Sequence, residues 1–184
     1  MGFQIEDGTG SGTQAGVNSE NRLETAAVTQ RKITAVSEGH GEAYCWTTYQ
    51  ATTGDVNAIW LRNDSNANLL HIDHIDITPP TTISVYEIWV GNGNTSGGTG
   101  ITGVNLNRSV GNADDATCAY KNTNVDAGAG MTLLGTYALP ALTLSKIDFE
   151  GALVLGINRE VAINVITAGG ASAINIFGYF HEVD

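Results

Sequence analysis

Positive charge is scarce in this chain: eight Lys and Arg stand against 19 Asp and Glu, a formal net charge of −11. Nucleic-acid binding needs a basic footprint that displaces counterions, and an anionic membrane surface repels the same acids, so neither partner is expected. Proline is limited to three residues and cysteine to two, Cys45 and Cys118. Two cysteines far apart, each inside a strand-like run, are no disulfide framework; both read as free, buried thiols. No apolar run reaches the roughly 18 residues of a membrane-spanning helix. The opening MGFQIEDGTG lacks the positive stretch and apolar run of a secretory signal, and Ile5 and Glu6 do not fit a myristoylation pattern.

Catalytic signatures are missing too. There is no G-x-S-x-G elbow, no H-E-x-x-H pair and no Walker loop. GTGITG, residues 98–103, has the glycine spacing of a dinucleotide loop, but VNLNRSVGN follows where a helix has to begin. DSNANL at Asp64 starts like a calcium loop, yet Leu69 and Ile75 occupy the positions that need Gly and Glu. The acids stand beside turns or on the polar side of alternating runs, as solvated surface charge does. The reading is of a protein without enzymatic activity, cofactor or metal.

What is plentiful is glycine, 23 residues, within a chain that is 42% hydrophobic. High glycine, low proline and many Asn and Thr point to short strands joined by turns. From Gly41 onward the pattern is strand, turn, strand. NAIWLRN alternates, with Ala58, Trp60 and Arg62 on one face and Ile59 and Leu61 on the other. TISVYEIWV sets Tyr86, Ile88 and Val90 against Glu87 and Trp89. IDFEGALVLGIN, EVAINVITA and ASAINIFGYFHEV read as closing strands. Roughly nine to eleven strands follow from this rhythm. The expected fold is all-β, an antiparallel β-sandwich of jelly-roll type over residues 41–184, preceded by an extended N-terminal arm, residues 1–40. Trp46, Trp60 and Trp89 are expected in its core, and the glycine-rich stretch 91–100 on its rim.

HIDHIDITPP, residues 71–80, gathers two histidines and two aspartates as metal sites do. Read as a strand, it turns His71, Asp73, Ile75 and Ile77 one way and Ile72, His74, Asp76 and Thr78 the other. Histidines on opposite sides do not converge on an ion, so the stretch reads as polar dressing of a strand.

Taken in order, NRLETAAVTQ, SEGHGEAYCW, NAIWLRNDSNANLLHIDHI, ISVYEIWVG and GVNLNRSVGNADDATCAYKN resemble a family of small virion structural proteins of tailed bacteriophages. These are chiefly head decoration, or cement, proteins with a jelly-roll fold. The resemblance spans most of residues 20–182 and implies a viral structural protein on the capsid surface of the virion, present in the host cytoplasm during assembly. Its partners would be the major capsid protein and further copies of itself, a homotrimer suiting the three-fold positions of the shell. In that setting the arm grips the lattice. Arg22, Arg31 and Lys32 meet acidic capsid surface, while Leu23, Val28 and Ile33 fill apolar hollows. The alternative is a tail-fibre, spike or receptor-binding module that recognises a host surface glycan, which an exposed aromatic platform would favour. A carbohydrate-active enzyme or lectin stands third.

Overall fold

The computed structural model describes Ile33, Thr34 and Ser37, and residues 42–52, 56–92, 97–109, 111–120, 130–167 and 169–182. The fold belongs to the unit Arg31–Asp184, which starts upstream of the boundary expected at Gly41. Ile33, Thr34 and Ser37 are helical, where the sequence reading had an extended arm.

The described residues form eleven strands: β1 (Ala43–Thr52), β2 (Val56–Asn63), β3 (Asn68–Thr78), β4 (Ser84–Gly91), β5 (Thr99–Ile101), β6 (Val104–Asn105), β7 (Ala116–Tyr120), β8 (Met131–Leu139), β9 (Ser145–Leu155), β10 (Glu160–Thr167) and β11 (Gly170–Glu182). The first four pair with the last four in reverse order. β1 pairs with β11, β2 with β10, β3 with β9 and β4 with β8, every pair antiparallel. Two sheets result, one ordered β6-β1-β11-β3-β9 and the other β5-β7-β2-β10-β4-β8. This is a jelly roll: one long hairpin rolled up so that its two arms contribute to both sheets. β5, β6 and β7 come from the tip of that hairpin. They add to the β2 and β1 edges and extend that side of the sandwich.

Alternation sends one side of each strand inward. Tyr44, Trp46, Ile72, Ile75, Ile174 and Ile176 from the five-stranded sheet meet Ile59, Leu61, Tyr86, Ile88, Val161 and Ile163 from the six-stranded sheet in one core cluster. Burying each such side chain stabilises the fold by roughly 1.5–3 kcal/mol. The polar atoms that enter this core are matched. The Tyr86 hydroxyl lies 2.8 Å from Ser172 Oγ, a bond that joins the two sheets. Tyr44 donates its hydroxyl to the Ala113 carbonyl at 2.9 Å, and Trp46 Nε1 donates to Asp114, which also accepts from the Gly103 N–H. These bonds tie the tip segment over the edge of β1. Cys45 and Cys118 are free thiols, Cys118 buried and Cys45 half-buried, and burial pushes both pKa values up.

Burial pushes the Tyr44 phenol up to about 12 from 10, helped by the charges of Asp114 and Glu42. Burial likewise raises Tyr86 and Tyr179. A raised phenol pKa means the folded state favours the neutral form. That stability is fully present below pH 10 and is lost as pH climbs toward about 12. Urea midpoints measured against pH should therefore hold level below pH 10 and then fall, and Tyr44→Phe should flatten part of the fall; a parallel fall in the variant would rule Tyr44 out as a source.

Candidate functional site

Of the six residues assigned to partner binding, Arg22, Leu23, Val28, Arg31 and Lys32 lie outside the described residues. Ile33 is described, and its side chain does not wait for a partner. It is buried against Ala43 and Tyr179, with Phe177 packed alongside. The Asn107 side-chain amide donates to the Ser37 carbonyl at 2.7 Å, a second attachment. Between these two attachments lies a hollow of about 570 Å³ lined by Ile33, Thr34, Ser37, Leu106, Asn107 and Arg108. Ile33 is thus the point where the chain leaving the N-terminal region is fastened to the outer face of the five-stranded sheet.

That same face carries the histidines. The alternation read from the sequence put His71 and His74 on opposite sides; the structure puts them on one. His71 pairs with Tyr179, Ile72 with Gly178, and His74 with Phe177, so Asp73 is an extra residue that bulges out of the ladder. Ile72, Ile75 and Ile77 keep to the core across the bulge. Gly178 allows the close approach there, since a Cβ at that position would lie 2.8 Å from the His71 carbonyl oxygen.

Each imidazole has its own surroundings. His71 stacks on Tyr179, centroids 5.0 Å apart and planes 4° from parallel, and its Nδ1 is 2.9 Å from the Gly151 carbonyl. His181 meets the His71 ring edge-on at 6.0 Å. His74 stacks on Phe177 at 4.2 Å, with Nδ1 2.7 Å from the buried Asp73 carboxylate and Nε2 3.9 Å from Asp76. These are cross-strand pairs, the units that stabilise a sheet. Among the described residues no group of three or more His, Cys, Asp or Glu converges as metal ligands do. The chemistry on offer is aromatic and hydrogen-bonded packing, a rigid surface behind the Ile33 anchor.

The tryptophans divide. Trp46 is in the core between the sheets. Trp60 and Trp89 are on the other side of their strands, on the outer face of the six-stranded sheet, where they flank Ala162 with Ala119 and Met131 beside them. The next row on that face is polar: Asn57 opposite Asn164, and Asn164 opposite Glu87. Trp60 donates to the Gly97 carbonyl at 3.4 Å and Trp89 to Glu87 at 3.0 Å. Arg62 sits 5.6 Å over the Trp60 ring and donates from Nε to Asp64 at 2.6 Å. Burial alone would raise the Asp64 carboxyl, but hydrogen bonds from Arg62 and Thr117 outweigh it and hold the pKa below the usual value. Trp60, Asn57, Asn164 and Glu160 are all buried although they point away from the sandwich core. Asn57 has no hydrogen-bond partner at either end of its amide. Sequence reading missed this face because it took NAIWLRN as a strand wet on one side. An aromatic at 60 followed by another at 89, each on the polar face of its own strand, was the available signal.

No family model, no curated protein and no solved structure matches this chain.

The bulge makes a test of register possible. Deleting Asp73 leaves His71, Ile72, His74, Ile75, Asp76 and Ile77 in unbroken alternation, so the fold should survive at a cost of about 1–3 kcal/mol for the lost Asp73–His74 bond. Deleting Asp76 turns Ile77 outward and Thr78 inward, and should cost about 3 kcal/mol or more. Equal losses for the two deletions in urea denaturation would contradict the bulge.

Proposed function

We propose that this chain is a structural virion protein that decorates a bacteriophage capsid, holding neighbouring capsid subunits together through its N-terminal segment, and that it works without catalysis. The observation that carries the reading is the anchoring of Ile33 on the outer face of the five-stranded sheet. A segment bearing Arg22, Leu23, Val28, Arg31 and Lys32 precedes a body with few other cations. Three of the eight positive charges stand in the first 32 residues, so the segment and the body carry opposite tendencies. A cationic, partly apolar segment is suited to acidic and hollow parts of a protein lattice, while the acidic body stays clear of the same lattice. A rigid jelly roll suits the role because it presents fixed surfaces and needs no internal motion. Ordering a segment on a partner costs about 1–2 kcal/mol per residue, which several linked copies offset by effective concentration. Self-association into a homotrimer belongs to this proposal for that reason.

A second reading keeps a place because of Tyr49. Its ring is exposed beside a hollow of about 240 Å³ that Thr78, Pro79, Pro80, Leu142 and Gly170 help to line. An exposed aromatic next to a cleft is the arrangement a glycan-binding receptor module of a tail fibre or spike would use.

The test is a truncation that stops before the anchor. Removing residues 1–32 keeps Ile33 on Ala43 and Tyr179, so the domain should remain folded by circular dichroism. Its co-sedimentation with undecorated capsids should fall by at least tenfold. Undiminished capsid binding by the truncated protein would overturn the decoration reading, and retention of a host polysaccharide that Tyr49→Ala abolishes would install the glycan reading in its place.

A further inference from the structure

The two lateral sides of the sandwich are treated differently. On one side the tip strands extend the sheets: β6 lies along β1, and β7 with β5 along β2. On the other side the six-stranded sheet ends at β8, and among the described residues no strand pairs with its free edge. A free edge nine residues long exposes a row of backbone donors and acceptors, and proteins ordinarily blunt such an edge with charge or proline. Here neither is done within the strand. MTLLGTYAL contains no charged residue and no proline, and the uncharged stretch continues from Ala127 to Ser145 in a chain with 27 charged Lys, Arg, Asp and Glu in total, 8 plus 19.

Instead of charge, the region presents leucine. Leu133 and Leu134 on β8 are 42% and 45% exposed, and Leu142 and Leu144 in the turn that follows are 70% and 61% exposed. Leu134 stands out of the ladder, because Ile88 pairs with Gly135 and Trp89 with Leu133. Leu142 has φ 53, a left-handed backbone that a branched side chain rarely adopts, and its N–H is held by the Pro79 and Pro80 carbonyls at 3.3 and 3.2 Å. A strained backbone that holds an apolar side chain out into water signals that the side chain is used there.

We infer that the free edge of β8 and the four leucines beside it form a self-association face, covered by a second copy of this chain. Charge selects that occupant. Two chains of net charge −11 repel each other over most of their surface, and the uncharged stretch from Ala127 to Ser145 is where they approach with least repulsion. A basic partner would gain nothing from a surface without acids. Four exposed leucines and an unpaired strand supply what contacts between copies use: apolar area in the centre and backbone hydrogen bonds along the edge. The inference deepens the self-assembly part of the proposed function and does not rest on the capsid part.

The experiment is light scattering coupled to gel filtration on the full chain and on two double variants, Leu133→Lys with Leu134→Lys and Leu142→Glu with Leu144→Glu. At about 100 µM, where a contact of standard size is populated, the wild type should run at a multiple of its monomer mass and both variants at the monomer mass. All four side chains are solvent-exposed, so circular dichroism and thermal midpoints should stay close to wild type; should one pair unfold, the other decides. A monomeric wild type, or folded variants that keep the wild-type mass, would overturn the inference. The truncation lacking residues 1–32 should keep the oligomeric mass while losing capsid, so failure of the capsid reading and failure of this face give different results.

Discussion

Nested antiparallel pairing is the constraint on which the rest of this structure depends. Each of the first four strands finds its partner among the last four, from β4 with β8 at the inside to β1 with β11 at the outside. The outermost pair joins Ala43 to Tyr179. Contacts of that sequence separation carry a large loop-closure cost that is met before they stabilise anything, so the core forms as a cooperative whole. Everything proposed for function sits on features this pairing creates: a closed side where the hairpin tip folds over, a bare side where β8 ends the sheet, and an outer face of β11 to which Ile33 is fixed.

Much of this was legible in the residues. Alternation in TISVYEIWV placed Tyr86 and Ile88 inward and Glu87 and Trp89 outward, as they are found. Pro79-Pro80 ends β3, and Asn158 and Gly170 take the positive φ that the expected turns need. What was not legible arose from pairing between distant strands. The three-residue step from Ile72 to Ile75 in an otherwise alternating run marks a bulge, but a bulge is defined by the partner strand, and Gly178 is more than a hundred residues away in sequence. The same reason hid the second burial of β2 and β10. A strand's own sequence cannot say that both faces of its sheet will be covered. The arm assignments followed from composition alone, and of them only Ile33 falls among the described residues, where its apolar side chain goes to its own sheet.

The outer faces of the two sheets solve different problems. On the five-stranded sheet, rings of His71, Tyr179, His74 and Phe177 stack in pairs across β3 and β11 and stiffen the surface that receives the N-terminal segment. On the six-stranded sheet, Trp60, Ala162 and Trp89 build a second apolar cluster, with Arg62 and Asp64 paired at its margin. Small side chains such as Ala162 and Ala119 between large ones let this cluster pack tightly. Glu160 and Asn164 are buried there, polar groups whose removal from water has to be compensated by hydrogen bonding.

The attachment of Ile33 next to β1 has a mechanical consequence. The chain enters the sandwich along the outermost hairpin arm, and Glu42 is already hydrogen-bonded to Phe180 at 3.0 Å before β1 begins. A pull on the segment upstream of Ala43, resisted by the body, runs along the axis of β1. Ten register pairs between β1 and β11 then carry the load together, in shear, where a perpendicular force would peel them apart one by one. A tether inserted in that direction resists the outward pressure of a swelling shell far better than its hydrophobic anchor alone would.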